Sequence, residues 1–177
     1  MKKFFYPVAI VLTMGLSAFA AAVSVNWKIA EGYKVQFTSD DPSGEFTSMK
    51  GIINFDENNP NGAKFDITVD VKSFNSGNGM QNRQAVTAKW FDADKYPVIH
   101  FVSSRVEKKG QGYEVTGDMN LHGVSKVMTI PFTFTKSGNG GTFKGTFNVN
   151  RNDFKIGEPG GHASDVLKID LSVPVTL

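Results

Sequence analysis

From Trp27 onward, hydrophobic and polar positions alternate with a period of two. The clearest run is Lys64–Lys72, where Phe65, Ile67, Val69 and Val71 occupy one face and only charged residues or Thr the other. The same alternation runs through Tyr33, Val35 and Phe37, through Tyr113, Val115, Met119 and Leu121, and through Met128, Ile130, Phe132 and Phe134. It returns in Phe143, Phe147 and Val149 and in the stretch from Leu167 to Leu177. Such alternation predicts antiparallel strands with one apolar and one solvated face. Turn signals separate the runs at Asp56–Gly62, Ser73–Gly79, Lys109–Gly112 and Gly138–Gly141. Many short strands so punctuated predict an all-β sandwich or barrel in one domain. One helical segment is expected near residues 80–90, after a glycine-rich turn. Pro174 falls on the outward set of the last strand, a position that suits an edge or a bulge better than a central ladder.

The first residues follow a different pattern. Lys2 and Lys3 precede an apolar run, Phe4 to Phe19, and Ala18-Phe-Ala20 supplies a small-x-small cleavage pattern. The run is short of the roughly 20 residues that a spanning helix needs. Residues 1–22 are therefore read as a signal peptide and residues 23–177 as the domain, with a periplasmic or secreted destination. No cysteine is present, so neither a lipid-modified cysteine nor a disulfide framework is expected. Loss of Lys2 and Lys3 leaves 17 basic against 17 acidic residues. The basic balance of the whole chain thus belongs to its leader, and no nucleic-acid partner is expected.

Reactive chemistry is sparse. His100, His122 and His162 have no spacing that would build a metal site. Asp56-Glu-Asn-Asn-Pro-Asn-Gly62 departs from a calcium loop at its glycine, at Pro60 and at Ile67, where the bidentate glutamate would stand. Asp92 and Asp94 could form an acid/base pair, but beside Phe91 and Tyr96-Pro97 they read as turn residues that bond local backbone. No nucleophile is tied to a base, and no enzyme is expected. Fifteen Phe, two Trp and four Tyr make an aromatic interior instead. A barrel of eight strands can be filled by such side chains or can hold one small ligand, and composition by itself favours the filled interior.

Four stretches add a further clue: Gly51-Ile-Ile-Asn-Phe-Asp56, Trp90-Phe-Asp with Lys95-Tyr-Pro97, Gly117 with Leu121-His-Gly-Val124, and Arg151-Asn-Asp-Phe154. In this order the chain resembles the YceI-like family of small periplasmic, lipocalin-like barrels that hold a polyisoprenoid chain. The resemblance spans essentially the whole mature chain. It implies an eight-stranded antiparallel barrel and a long-chain isoprenoid ligand, a quinone or polyprenyl lipid, with no other cofactor. It also implies a monomer or homodimer with transient membrane contact. The expected cavity residues are Phe37, Phe55, Ile67, Val69, Phe101 and Met119, with Ile130, Phe132 and Phe147. Trp90 and Phe91 are expected to cap one end. The alternatives are an enzyme acting on a lipid-like substrate in the same cavity, or a filled structural or stress-response domain with a protein partner. The chain departs from the family at Tyr33-Lys-Val-Gln-Phe37, which lacks a His-Ser pair, at Asn82 and Gln84, and at Lys155. Those departures bear on the ligand's head group more than on its tail.

Amino-terminal sequencing of the naturally produced protein should find a start near Ala21 to Val23. Recovery of Met1 in a membrane fraction would overturn the cleaved leader.

Overall fold

The computed structural model describes residues 25–177; the expected leader lies outside them. The described chain forms β1 (Asn26–Ile29), β2 (Lys34–Thr38), β3 (Gly44–Phe46), β4 (Met49–Asn54), β5 (Lys64–Asp70) and β6 (Phe74–Asn75). After helix α1 (Gly79–Ala85) come five long strands: β7 (Val98–Lys109), β8 (Gly112–Leu121), β9 (Val124–Ser137), β10 (Gly140–Asn150) and β11 (Val166–Thr176). All pairings are antiparallel, and β1 pairs with both β4 and β11 to close the ring.

The first six strands are three staves, each broken midway. β11 pairs with β1 through Val175 and Thr176, and with β2 through Lys168 to Ser172. In parallel, β4 lies on β1 while β3 lies on β2. β5 lies on β4 while β6 lies on β3. With the five long strands, the broken staves make an eight-stave barrel. The run Lys64–Lys72 is accordingly shorter as a strand than its alternation suggests: it ends at Asp70, whose carboxylate accepts from the Lys72 N–H at 2.8 Å, and a 3-10 turn follows.

Pro174 fits closure because of the first break. Its carbonyl accepts from Ala30 N–H at 2.9 Å, so its nitrogen faces the same neighbour. That neighbour is interrupted between Ile29 and Lys34, where Gly32 has φ +83°. The missing donor therefore costs only the last bond of the ladder with β1, at the point where that stave leaves the pairing.

The barrel is closed at one end and parted along two seams at the other. β6 does not continue the pairing of β5 with β7, and residues 79–97 occupy that seam. Phe91 packs edge-on against Phe46 at 5.9 Å and lies 6.0 Å from Phe74. The second seam lies between β9 and β10, whose ladder ends at Phe132–Gly145, one residue short of Pro131. The chain after β10 turns back across it, with Lys126 Nζ 3.0 Å from Asp153. We call this the helix end.

Helix α1 stops at Ala85, short of the expected residue 90. Asn78 caps its start by accepting from the Met80 and Gln81 N–H groups. At its other end Thr87 directs both its N–H and its hydroxyl to the Gln84 carbonyl. A β-branched pair with a competing hydroxyl ends the helix there, and Trp90 and Phe91 ride on turns.

The opposite end is sealed by aromatic rings. Phe55 is 1% exposed and lies 5.0–6.4 Å, centroid to centroid, from Phe65, Tyr113, Phe132, Phe134 and Phe143. Its carbonyl accepts from Trp27 Nε1 at 2.9 Å. Burial among these rings pushes the Tyr113 phenol up from its ordinary pKa.

Phe55→Ala should remove the centre of this floor and cost about 3–5 kcal/mol, read as a lower urea midpoint. Val127→Ala, on an exposed outer position, should stay within about 0.5 kcal/mol. Equal effects would show that the floor does not organise the fold.

Candidate functional site: an apolar cavity under a stapled shoulder

Above the aromatic floor the barrel encloses a cavity of about 370 Å³. Its wall follows from strand register. Gly145, Leu171, Val35, Phe46 and Phe74 pair successively across five strands and form one inward rung. The rung beside it carries Phe147, Ile169 and Phe37. Outward positions between them are Thr146, Asp170, Gln36 and Glu45. Thr146 donates to the Asp170 carboxylate at 2.7 Å, and Lys168 lies 2.9 Å away; together they hold that carboxyl below its ordinary pKa.

Several inward residues are only half-buried, among them Ile67, Ile99, Phe147, Leu167, Ile169 and Leu171, yet all line the cavity. Their uncovered surface faces the barrel's interior. Such surface gains little until an apolar occupant covers it.

Ten of the eleven expected residues lie on this wall: Phe37, Ile67, Val69, Trp90, Phe91, Phe101, Met119, Ile130, Phe132 and Phe147. Phe55 does not, because the rings around it occupy the space between it and the cavity. Phe132 belongs to both regions, lining the cavity and stacking 5.3 Å from Tyr113. Val35, Phe46, Met49, Phe74, Ile99 and Leu171 also line it and were not singled out by sequence. Alternation did give the phase of Val35 and Leu171. Phe46 and Phe74 sit on strands of three and two residues, too short to carry a pattern.

Three of the four recognisable sequence stretches meet at the helix end. The Tyr96 ring stands edge-on to His122 at 5.0 Å, and a Cβ on Gly123 would come within 2.5 Å of that ring. His122 Nδ1 lies 3.0 Å from the Phe154 carbonyl, so this nitrogen carries the proton and donates. Arg151 lies under Trp90, 5.6 Å from the ring, and is 4% exposed. Its Nε donates to Ser164 O, and its Nη1 to Ile156 O. Its Nη2 is shared among Glu158 O, Ala163 O and Asp165 Oδ1, the last at 2.6 Å. One guanidinium thus folds residues 156–165 into a fixed loop. Gly157 leaves room for Trp90, whose ring would stand 2.7 Å from any Cβ there.

The rim lies between that loop, residues 39–43 and α1. Ser164 N–H donates to the Asp41 carbonyl at 2.8 Å, and Gln81 Nε2 donates to Asp41 Oδ1 at 2.9 Å. Asp41, Gln81, Gln84, His162 and Ser164 supply the polar lining at this rim, and Gln36, Lys144 and Arg151 the polar lining elsewhere. Asp92 and Asp94 face elsewhere. Asp92 turns the chain at φ +47°, and Asp94 pairs with Lys72 at 2.8 Å, a bond that lowers its carboxyl pKa. His100 bonds Asp66 on the outer wall at 2.7 Å. Among the described residues no three His, Asp or Glu side chains gather as metal ligands.

The model of the YceI-like domain matches residues 20–175. The chain belongs to the YceI-like family. A UPF0312 protein of Pseudomonas putida strain W619 is 35% identical over 157 residues, covering 84% of this chain and 78% of its own. Among solved structures, Burkholderia cenocepacia BcnA is similar with a TM-score of 0.76 and 30% identity, over 81% of this chain and 96% of that one. A polyisoprenoid binding domain from Saccharophagus degradans, implicated in plant cell wall breakdown, shares the fold. Its TM-score is 0.62 at 14% identity, over 87% of this chain and 99% of that one. The expected eight-stranded antiparallel barrel with one short helix is the fold of this YceI-like chain.

Arg151→Ala should strand the carbonyls and the Asp165 carboxylate that the guanidinium serves, costing about 3–5 kcal/mol. Denaturant unfolding and faster amide exchange across residues 156–165 would register the loss. Unchanged exchange in that loop would show that Arg151 does not hold it.

Proposed function

We propose that this protein sequesters and carries a long-chain isoprenoid, a quinone or polyprenyl lipid, outside the cytoplasm. The observation that carries the reading is the set of inward apolar side chains whose free surface faces an enclosed space. A floor of aromatic rings closes that space below, and polar groups rim it above. Each methylene taken from water into such a space contributes about 0.8 kcal/mol. A cavity of about 370 Å³ falls near the lower end of the roughly 300–1,000 Å³ found for small-molecule pockets. The Saccharophagus degradans domain, of the same fold and described as polyisoprenoid binding, supports the class of ligand.

Carriage fits better than catalysis. The titratable side chains that line the cavity are Asp41, Lys144, Arg151 and His162. Arg151 is committed to its loop, and Lys144 is on an outward position of β10. Ser164 shares the rim with Asp41 and His162, but its hydroxyl accepts from the Asp41 N–H at 3.4 Å, and among the described residues no imidazole or carboxylate bonds it as a base would. A filled structural core fits less well, because the inner rungs leave room that packing alone would close. The leader, residues 1–22, assigns the carrier to the periplasm or to secretion. Transient contact with a membrane would load it as a monomer or homodimer.

Protein purified without detergent should show, by native mass spectrometry, an added mass that organic extraction identifies as an isoprenoid lipid. Phe147→Asp puts a carboxylate into the wall, where an unpaired charge is costly, and should remove most of that mass. Phe147→Ala should keep part of it, and outward Asp118→Asn all of it, with circular dichroism unchanged in each. Wild type that carries no lipid, and takes up neither quinone nor polyprenol from vesicles, would overturn the reading.

A further inference from the structure

The rim's chemistry bears on which end of the lipid it meets, and the inference rests on the carrier reading. We propose that the mouth selects an uncharged, hydroxyl-bearing head, as on an isoprenoid alcohol or a hydroquinone, and discriminates against a phosphorylated one.

Asp41 is the only carboxylate among the residues lining the described cavity. It is fixed from two sides: the Ser164 N–H holds its carbonyl, and the Gln81 amide holds one carboxylate oxygen. The other oxygen remains an acceptor for a hydroxyl. Gln84 stands one turn beyond Gln81 on α1 and also lines the cavity, so its amide reaches the same mouth. A carboxylate beside amides accepts from and donates to a neutral head, but it repels an anion.

Cations that would offset this repulsion are engaged elsewhere or stand away from the mouth. Arg151 gives its guanidinium to four carbonyls and to Asp165. Lys144 lies on the outer phase of β10, six residues before its end at Asn150, or about 20 Å along the strand. Lys89, near the shoulder, lies 3.5 Å from Glu158 and does not line the cavity. Arg83 is on α1 but is not part of the lining either. Asn82 faces away from the mouth: its carbonyl oxygen accepts from both the backbone N–H and the hydroxyl of Ser76 at 2.9 Å. Phosphate recognition ordinarily relies on free arginine or lysine or on clustered backbone N–H groups, and this rim presents an acid in their place.

The test compares a polyprenol with the polyprenyl monophosphate of the same chain length, each presented in phosphatidylcholine vesicles. It is run near pH 8, above the ordinary titration range of an imidazole. Wild type should bind the alcohol about tenfold more tightly than the phosphate, the scale of one like charge in a partly screened mouth. Asp41→Asn should narrow the difference to about twofold, and Asp41→Lys should reverse it. Asp40→Asn, which removes the neighbouring charge from outside the lining, should leave the preference unchanged. Equal or tighter binding of the phosphate by wild type would overturn the head-group proposal alone. So would a preference that ignores both Asp41 variants. If neither lipid binds, the carrier reading falls and takes this proposal with it.

Discussion

Closure of the ring depends on the interruption between Ile29 and Lys34. A closed barrel needs every stave to satisfy both neighbours, and β11 carries a proline that cannot donate on one side. Because the facing stave leaves the pairing just beyond Ala30, which still donates to the Pro174 carbonyl, only the last bond of that ladder is lost. The same interruption lets the chain change course, so that β2, β3 and β6 part from the lower ring while β1, β4 and β5 complete it. Closure below and parting above both follow from one kink in the first stave.

The parted half is where the site lies. Two seams open there, one filled by α1 and the turns through Tyr96, the other by residues 151–157. Neither filler has enough apolar surface to fold alone. They hold each other through Trp90 on Arg151, Tyr96 on His122 and the Gly157 N–H on the Lys89 carbonyl. The sequence stretches that mark the family are mostly this scaffold. They fix the shoulder and rim, while the cavity wall is built from ordinary aliphatic and aromatic residues that only need the right phase and size. Of the recognisable residues, Ile53, Trp90, Phe91 and Leu121 reach the cavity wall, while most of the others only hold the shoulder and rim.

The division of labour also orders the energetics. The floor packs aromatic rings at close centroid distances around a buried Phe55, so it anchors the barrel. The wall above leaves apolar surface uncovered and is correspondingly less well packed, which is the condition for accepting an apolar chain. A protein that filled both halves would gain stability and lose the site.

Period-two alternation alone determined the antiparallel class, the long strands and which side chains face inward, because a strand side chain has only two faces to choose from. It could not set depth along the barrel. Phe55 and Phe37 look alike in sequence, yet ring packing puts one under the floor and the other on the cavity wall. Nor could it reveal Phe46 and Phe74, whose strands are shorter than one period of evidence, or end the helix at Ala85, where Thr87 competes for a carbonyl. Sandwich and barrel stayed equivalent until the β1–β11 pairing existed, since alternation is local and closure joins residues nearly the whole chain apart. The pinning of Asp41 by Ser164 and Gln81 likewise belongs to the tertiary structure: three segments distant in sequence become one polar rim only when the barrel closes beneath them.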